Sequence, residues 1–469
     1  MGKGLASIRK GDGKHMLSTK AGKIVPTEAQ SGMETKLNLI TKHAIEDRNF
    51  KFTSLAHLLN EESLKECFYM LRKDRAPGVD DVTYEEYEKY LNTNIQKLVK
   101  RMKTRKYYPQ PVRRAYIPKG EGKMRPLGIP ALEDKIVQKG VARILNAIFE
   151  PNFLDCSYGF RTGRSCHQAL KQLDNTIMTK PANHIIDADI RSFFDNVDHD
   201  WLMKMLEEKI KDKNFLRIIK KFLKAGVMKE GQLNPTEEGA PQGGLCSPTL
   251  SNIYLHYVLD LWIDKVIKRD MHGYVELVRY CDDFVILAQY KEEAEEILKL
   301  LEERLNKFGL DLSHEKTGHI EFGRYSGINA KKKGQKPDTF DFLGFTHFCD
   351  KTRKGYFKVG RKTRRKKFNT KLKEMNAWLK SVRNMFEIKE WWKILAAKLR
   401  GHYEYYGISG NYASLRAYYR ETGKLVYKWI NRRSQKKSMN YEQFTQYLKR
   451  FPLPKPEIKH NIYILDRNV

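Results

Sequence analysis

The stretch that most limits what this chain can fold into is Val275-Glu-Leu-Val-Arg-Tyr-Cys-Asp-Asp-Phe-Val-Ile-Leu-Ala288. Two apolar runs of strand composition, Val275–Val278 and Phe284–Ala288, flank adjacent carboxylates at Asp282 and Asp283. The pattern predicts a β-hairpin with acids at its tip. Two ionised acids side by side repel unless a multivalent cation neutralises them. Oxygen donors of this kind suit Mg²⁺, which keeps waters and adds substrate phosphates. Taken alone, the pair fits a solvated turn better, because Asp favours turns.

A second stretch changes that balance. Ile185-Ile-Asp-Ala-Asp-Ile-Arg-Ser-Phe-Phe-Asp-Asn-Val-Asp-His199 begins as a buried strand and carries Asp187 and Asp189. A strand bearing an acid beside a hairpin bearing two is the minimum for a two-metal phosphoryl-transfer site. Asp189-Ile-Arg-Ser-Phe-Phe194 and Tyr280-Cys-Asp-Asp283 resemble the two catalytic motifs of reverse transcriptases. Among these, the chain is most similar to the group II intron-encoded reverse transcriptase/maturase family.

Composition agrees with a polyanionic partner. The 469 residues allow two or three domains, and 41% hydrophobic content fits a globular protein. No apolar run is long enough to span a bilayer and no secretory segment opens the chain, so an intracellular, cytoplasmic protein associated with RNA or the nucleoid is expected, with no membrane partner. Net charge is +31, from 88 Lys+Arg against 57 Asp+Glu, which predicts salt-sensitive binding through counterion release. The six cysteines form no CxxC pair, so neither a zinc site nor a disulfide framework is expected. Many relatives in the resembled family end in a metal-binding endonuclease domain; an endonuclease-lacking member is expected here.

Taken in order, residues 1–36 read as a disordered basic leader. Apolar residues three and four apart predict helices between Leu37 and Leu98 (Leu55, Leu58, Leu59; Leu64, Cys67, Phe68, Leu71), broken by the loop Ala76-Pro-Gly-Val-Asp80. Arg114–Pro130 alternates around Gly120–Gly122 and predicts a hairpin with Lys119 and Arg125 flanking the turn. Spacing alone fits a solvated turn; the resemblance implies that both cations hold a nucleoside triphosphate. The loop Ser157-Tyr-Gly-Phe-Arg-Thr-Gly-Arg-Ser165 mixes Arg, aromatics and Gly and reads equally as a template contact or a packed turn. Asp198 is placed as the N-cap of a following helix, and His199 reads as structural.

The resemblance assigns further roles. Asp189, Asp282 and Asp283 would be the catalytic metal ligands for two Mg²⁺ ions, with the backbone carbonyl of Ile190 adding an oxygen. Asp187 is not counted as a ligand. Phe194 would sit beneath the incoming sugar and favour dNTPs, although on its own it reads as a core residue. Gln242, in Gly239-Ala-Pro-Gln-Gly-Gly-Leu-Cys-Ser-Pro-Thr-Leu-Ser-Asn252, would reach nucleotide or template. Lys316, in Leu310-Asp-Leu-Ser-His-Glu-Lys-Thr317, would touch the nucleotide or primer backbone. Glu292–Phe308 predicts an amphipathic helix, Tyr325–Asp338 an exposed Lys/Gly-rich loop, and Phe340–Thr346 a strand closing the palm.

From residue 351 onward there are 31 Lys+Arg against 8 Asp+Glu, so this quarter carries +23 of the total. The cations Arg361, Lys362, Arg364, Arg365, Lys366 and Lys367 open a helical region with apolar residues at Trp378, Val382, Phe386, Trp391, Leu395 and Leu399. With Arg432 and Arg433 they are expected to contact RNA, and the region resembles the family's thumb and maturase X domain.

The expected architecture is an α+β right-hand polymerase, with fingers and an antiparallel palm sheet followed by an α-helical thumb/X domain. Its divisions are the leader at 1–36, fingers and palm at 37–350, thumb/X at 351–435 and a C-terminal tail at 436–469. The expected activity is RNA-directed DNA polymerisation on an RNA template with a DNA primer and dNTPs, combined with binding of group II intron RNA to assist splicing. The alternatives are a non-catalytic splicing maturase and a relative recruited to DNA repair or phage defence. The sequence leaves open which RNA is bound, how synthesis is primed and whether the chain dimerises.

Overall fold

The structure is a computed structural model that describes residues 32–463, apart from 121–122, 230–231, 235–238, 240–242 and 434–437. Its strands, in chain order, are β1 (Val112–Gly120), β2 (Lys123–Ile129), β3 (His184–Asp189), β4 (Val227–Lys229), β5 (Gln232–Asn234), β6 (Val275–Tyr280), β7 (Asp283–Ala288), β8 (Gly318–Glu321), β9 (Thr339–Phe342), β10 (Phe345–Lys351) and β11 (Phe357–Thr363). The chain divides into two compact units: residues up to Phe153 together with Phe194–Tyr254, and Leu154–Phe193 together with the residues from Leu255 onward.

In the first unit the strand order is β2-β1-β4-β5, antiparallel except for the short parallel pairing of β1 with β4. The expected hairpin is β1/β2. Its register runs from Arg113 opposite Ile129 to Gly120 opposite Lys123 and slips between Pro118 and Gly120, so Lys119 falls at a bulge. The helix Leu132–Phe149 is buried on nearly every side. At Gly140 a Cβ would lie 2.6 Å from a methyl of the Leu59 side chain, so any larger residue there would have to displace that methyl. Asp198 accepts a hydrogen bond from Trp201 N at 2.7 Å and caps the helix His199–Glu207, as its sequence position predicts.

The second unit is built on an antiparallel sheet of order β6-β7-β3-β8. The helix Lys291–Lys307 buries Ala294, Ile297, Leu301 and Leu305 at three- and four-residue spacing against β3, β7 and β8. The strand expected to close the palm instead starts a separate three-stranded sheet, β11-β10-β9. The reason is the turn Leu343–Gly344, where both residues have positive φ (48° and 82°) and fold β10 straight back on β9. Within Tyr325–Asp338 the chain forms the helix Ser326–Lys332 rather than a plain loop. Ser326 Oγ donates to Gly323 O at 2.8 Å and accepts from Gly323 N at 3.3 Å, which closes the turn that starts it.

Three long helices follow, Arg365–Val382, Ile388–Tyr406 and Tyr412–Ile430. Their apolar stripes, including Leu379, Trp391, Leu395, Leu399, Leu415 and Val426, belong to the same buried cluster as Val285 and Leu287 of β7. The division expected at 350/351 therefore falls inside one continuous core. The tail contributes the helix Tyr441–Arg450 and a returning segment whose Leu453 and Ile462 are buried. That segment is stitched down by Lys459 N donating to Gly407 O at 2.7 Å and Ser409 N to His460 O at 3.0 Å. All six cysteines are free. No helix among the described residues is long and apolar enough to cross a membrane.

Candidate active site

The carboxylates are set by strand register. In the antiparallel pair β3/β7, Asp189 lies directly opposite Asp283, and β6/β7 closes with Tyr280 opposite Asp283. Residues directly opposite in such a pair project to the same face, so Asp189 and Asp283 share a face, joined by Asp187 two residues earlier on β3. The turn between β6 and β7 is Cys281-Asp282, with Cys281 at φ +59°. A two-residue hairpin demands positive φ there, and an L side chain in that region costs about 1–2 kcal/mol.

The crowding has an electrostatic signature. Burial, then the charges of Asp282 and Asp189, raise the Asp283 carboxyl to about 7, although the Leu343 backbone and Arg364 pull the other way. Burial, then Asp283 and Asp341, likewise raise Asp187 to about 7. Excess negative charge of this kind favours a bound cation. Within the unit, Lys316 supplies one: its ammonium ion-pairs with Asp189. In this structure Lys316, the expected nucleotide contact, reaches the Asp189 carboxylate instead.

Among the described residues no three His, Cys, Asp or Glu side chains converge closely enough to enclose a metal ion by themselves. The donor chemistry nonetheless fits Mg²⁺, which takes one or two carboxylates and completes its shell with water and substrate phosphates. Ile190 is compatible with its expected part. Its bridge to Leu312 is closed by the neighbours, Arg191 N to Asp311 O and Ser313 N to Asp189 O, both 2.8 Å, which turns the Ile190 carbonyl away from that ladder.

Sequence reasoning missed what holds the turn. Arg279, fully buried, makes a bidentate ion pair with equally buried Asp260 (2.6 and 2.5 Å) and donates through Nη1 to Cys281 O at 3.1 Å. Gly159 closes the other side: a Cβ there would lie 2.5 Å from Cys281 N. An arginine within an apolar strand is a signal, since a buried charge needs a partner. Asp260, on a π-helical turn, could not be chosen from sequence.

The remaining nucleotide-site expectations fall in the first unit. Lys119 and Arg125 lie on β1 and β2, with Arg125 opposite Ile117. Phe194 is half-buried in the short 3-10 turn Phe193–Asp195. Gln242 lies outside the described residues, but Gly239 and Gly243 near it are closely packed. A Cβ on Gly239 would meet the carbonyls of Asp195 and Phe194 at 2.8 and 3.0 Å, and one on Gly243 would meet Gly128 O of β2 at 2.3 Å. Gly239 therefore packs beside Phe194, and Gly243 on the hairpin. His199 is structural, its Nε2 bonding Gly239 O at 2.7 Å.

The basic cluster splits. Arg361 is 1% exposed and ion-paired with Asp174, so its guanidinium is committed to the interior and leaves the set of RNA contacts. Burial wins because β11 alternates, sending Arg361 inward and Lys362 outward. Arg364, Arg365, Lys366 and Lys367 are exposed. Arg364 pairs with Asp341 at 2.8 Å and, with Arg365, Lys366, Thr346 and Asn369, lines an open pocket of about 410 Å³. Arg432 is exposed, and Arg433 donates to Phe386 O at 3.3 Å.

Residues 117–347 match the reverse transcriptase (RNA-dependent DNA polymerase) family. Protein YkfC of Escherichia coli is 35% identical over 281 residues, 53% of this chain and 73% of YkfC. The group II intron-encoded protein LtrA of Lactococcus lactis subsp. cremoris is 40% identical over 222 residues, 47% of this chain and 37% of LtrA. This chain belongs to the group II intron reverse transcriptase/maturase family. Another relative, the mitochondrial nuclear intron maturase 4 of Arabidopsis thaliana, is 32% identical over 136 residues, 28% of this chain and 16% of that protein. The match thus spans well under half the length of LtrA. Within the family match lie Lys119, Arg125, Asp189, Ile190, Phe194, Gln242, Asp282, Asp283 and Lys316.

Proposed function

We propose that this chain is an RNA-directed DNA polymerase of the group II intron type, extending a DNA primer on an RNA template with dNTPs, and that it also binds intron RNA to assist splicing and retrotransposition. The observation that carries the proposal is the register that sets Asp189 opposite Asp283 with Asp282 in the adjoining turn.

Asp189, Asp282, Asp283 and the Ile190 carbonyl would hold two Mg²⁺ ions, whose chemistry is to lower the pKa of the primer 3′-hydroxyl and to neutralise the phosphate being displaced. The chain's own residues supply position and charge. The paired backbones of β3 and β7 fix the carboxylates before substrate arrives, so little reorganisation accompanies the reaction. Lys316 balances Asp189 until substrate is bound, and then serves the nucleotide or primer phosphate. Lys119 and Arg125 neutralise the triphosphate, Arg as a planar fork and Lys as a point charge. Phe194 crowds the 2′ position of the sugar and so selects dNTPs, and Gln242 contacts nucleotide or template. In the right-hand arrangement, the unit bearing the β1/β2 hairpin serves as fingers, and the other unit as palm and helical thumb/X region.

The deciding experiment is primer extension on an RNA template with dNTPs and Mg²⁺. Asp283→Asn should lower the rate at least about 10²–10³-fold, the usual effect of removing one group that stabilises transition-state charge. Equal extension by both proteins would remove Asp283 from the site. A second reading, splicing assistance without polymerisation, is supported by the +23 carried from residue 351 onward. It requires tight RNA binding without extension by wild type, and splicing that survives Asp283→Asn.

A further inference from the structure

Phe160 combines an exposed ring with a strained backbone. Its ring is 58% exposed and its backbone has φ +57°, a region where a bulky L residue is a genuine outlier. Strain of this kind persists only when the surroundings impose it, and it gathers at sites that act on ligands.

The surroundings here do impose it. Arg161, 8% exposed, donates through Nη1 to Leu154 O at 2.6 Å and Ser157 O at 2.7 Å, drawing the loop tight. Tyr158 N donates to Arg279 O at 2.9 Å and Arg279 N to Cys156 O at 2.8 Å, which ties the loop to β6. Gly159 presses on Cys281 N so closely that no Cβ fits. Ser157, Tyr158 and Arg161 are all buried. Between Ser157 and Arg161 only Phe160 is exposed, one residue from the contact with the catalytic turn, and its ring centroid lies 6.5 Å from that of Tyr280.

An exposed aromatic face held beside a carboxylate turn suits a ligand that is flat and apolar in one part and anionic in another. A nucleobase carried on a phosphate backbone has that form, and stacking accepts any base because every base has a π-face. We infer that Phe160 is a stacking platform for a nucleobase of the template–primer at the catalytic turn. This rests on the polymerase reading above.

The test places 2-aminopurine either at the primer 3′ end or at the template base paired with it. Each duplex is titrated with full-length wild type, Phe160→Ala, Phe160→Leu and Phe160→Trp, without divalent ions. Wild type and Phe160→Trp should quench the probe on the strand that supplies the base, and the two placements identify that strand. Phe160→Ala and Phe160→Leu should lose the quench, and Phe160→Ala should bind about 5- to 150-fold more weakly, with melting temperatures at or above wild type. Equal binding and equal quench by wild type and Phe160→Ala would overturn the inference alone. A clear fall in melting temperature for Phe160→Ala with no loss of quench would make the ring a packing element and overturn it too. Failure of wild type to bind either duplex would overturn the polymerase reading along with it.

Discussion

At the scale of single residues, the Arg279–Asp260 pair is a fully buried ion pair in the second unit. Removing one member leaves the other charged and unpaired inside the protein, which typically costs about 3–5 kcal/mol. Asp260→Asn should therefore lower the urea midpoint sharply. The double change Asp260→Leu with Arg279→Met should recover most of that stability, since an apolar pair of similar volume is tolerated. It should not recover activity, because Cys281 O still lacks the Nη1 donor seen here at 3.1 Å. The expected mark is a higher Mg²⁺ requirement for extension by the well-folded double variant. An unchanged Mg²⁺ titration would reduce the pair to a stability element.

At the scale of elements, the helices Ile388–Tyr406 and Tyr412–Ile430 meet through His402, whose ring stacks on Tyr418 with centroids 3.7 Å apart. His402 is 8% exposed and its Nε2 finds no hydrogen-bond partner. Burial first, then the charge of Lys371, lowers it to about 4. The folded state thus binds fewer protons here than the unfolded state, whose imidazole titrates near 6.5. Stability from this residue is complete above that value and declines as pH falls through 6.5 toward 4. The interval caps the loss at roughly 3 kcal/mol. Melting curves between about pH 7 and about pH 4.5 should show the decline in wild type, and His402→Phe should flatten part of it. An identical pH slope in the two proteins would contradict the assignment.

At the scale of the whole molecule, charge is the partner signal, and burial decides which charges count. Replacing Arg365, Lys366 and Lys367 by Gln should leave folding unchanged and weaken the salt dependence of RNA–DNA duplex binding. The slope should fall by up to about one unit for each phosphate that is no longer neutralised. Arg361→Gln should do the reverse: it strands Asp174 and destabilises the protein while leaving that slope alone. Fluorescence anisotropy across a KCl series separates the two. A slope that responds to Arg361→Gln in a folded protein would return that residue to the surface set.

The two hairpins and the placement of the carboxylates were legible in the chain because they are local. Asp282 and Asp283 are adjacent, Asp189 ends an apolar strand, and the hairpins around Lys119 and Arg125 and around Cys281 are written in short-range alternation and turn residues. Helix positions followed for the same reason, as at Asp198 and along Lys291–Lys307. What the tertiary structure alone decided are contacts between distant segments, where burial and partner choice depend on register and packing that no short window contains. It put Arg361 inside against Asp174 while its neighbour Lys362 faces out, brought Asp260 beneath Arg279, pressed Gly159 against Cys281 and placed Lys316 on Asp189. It also carried one hydrophobic core across residue 350, because apolar stripes on separate elements must be buried against one another wherever the chain places them.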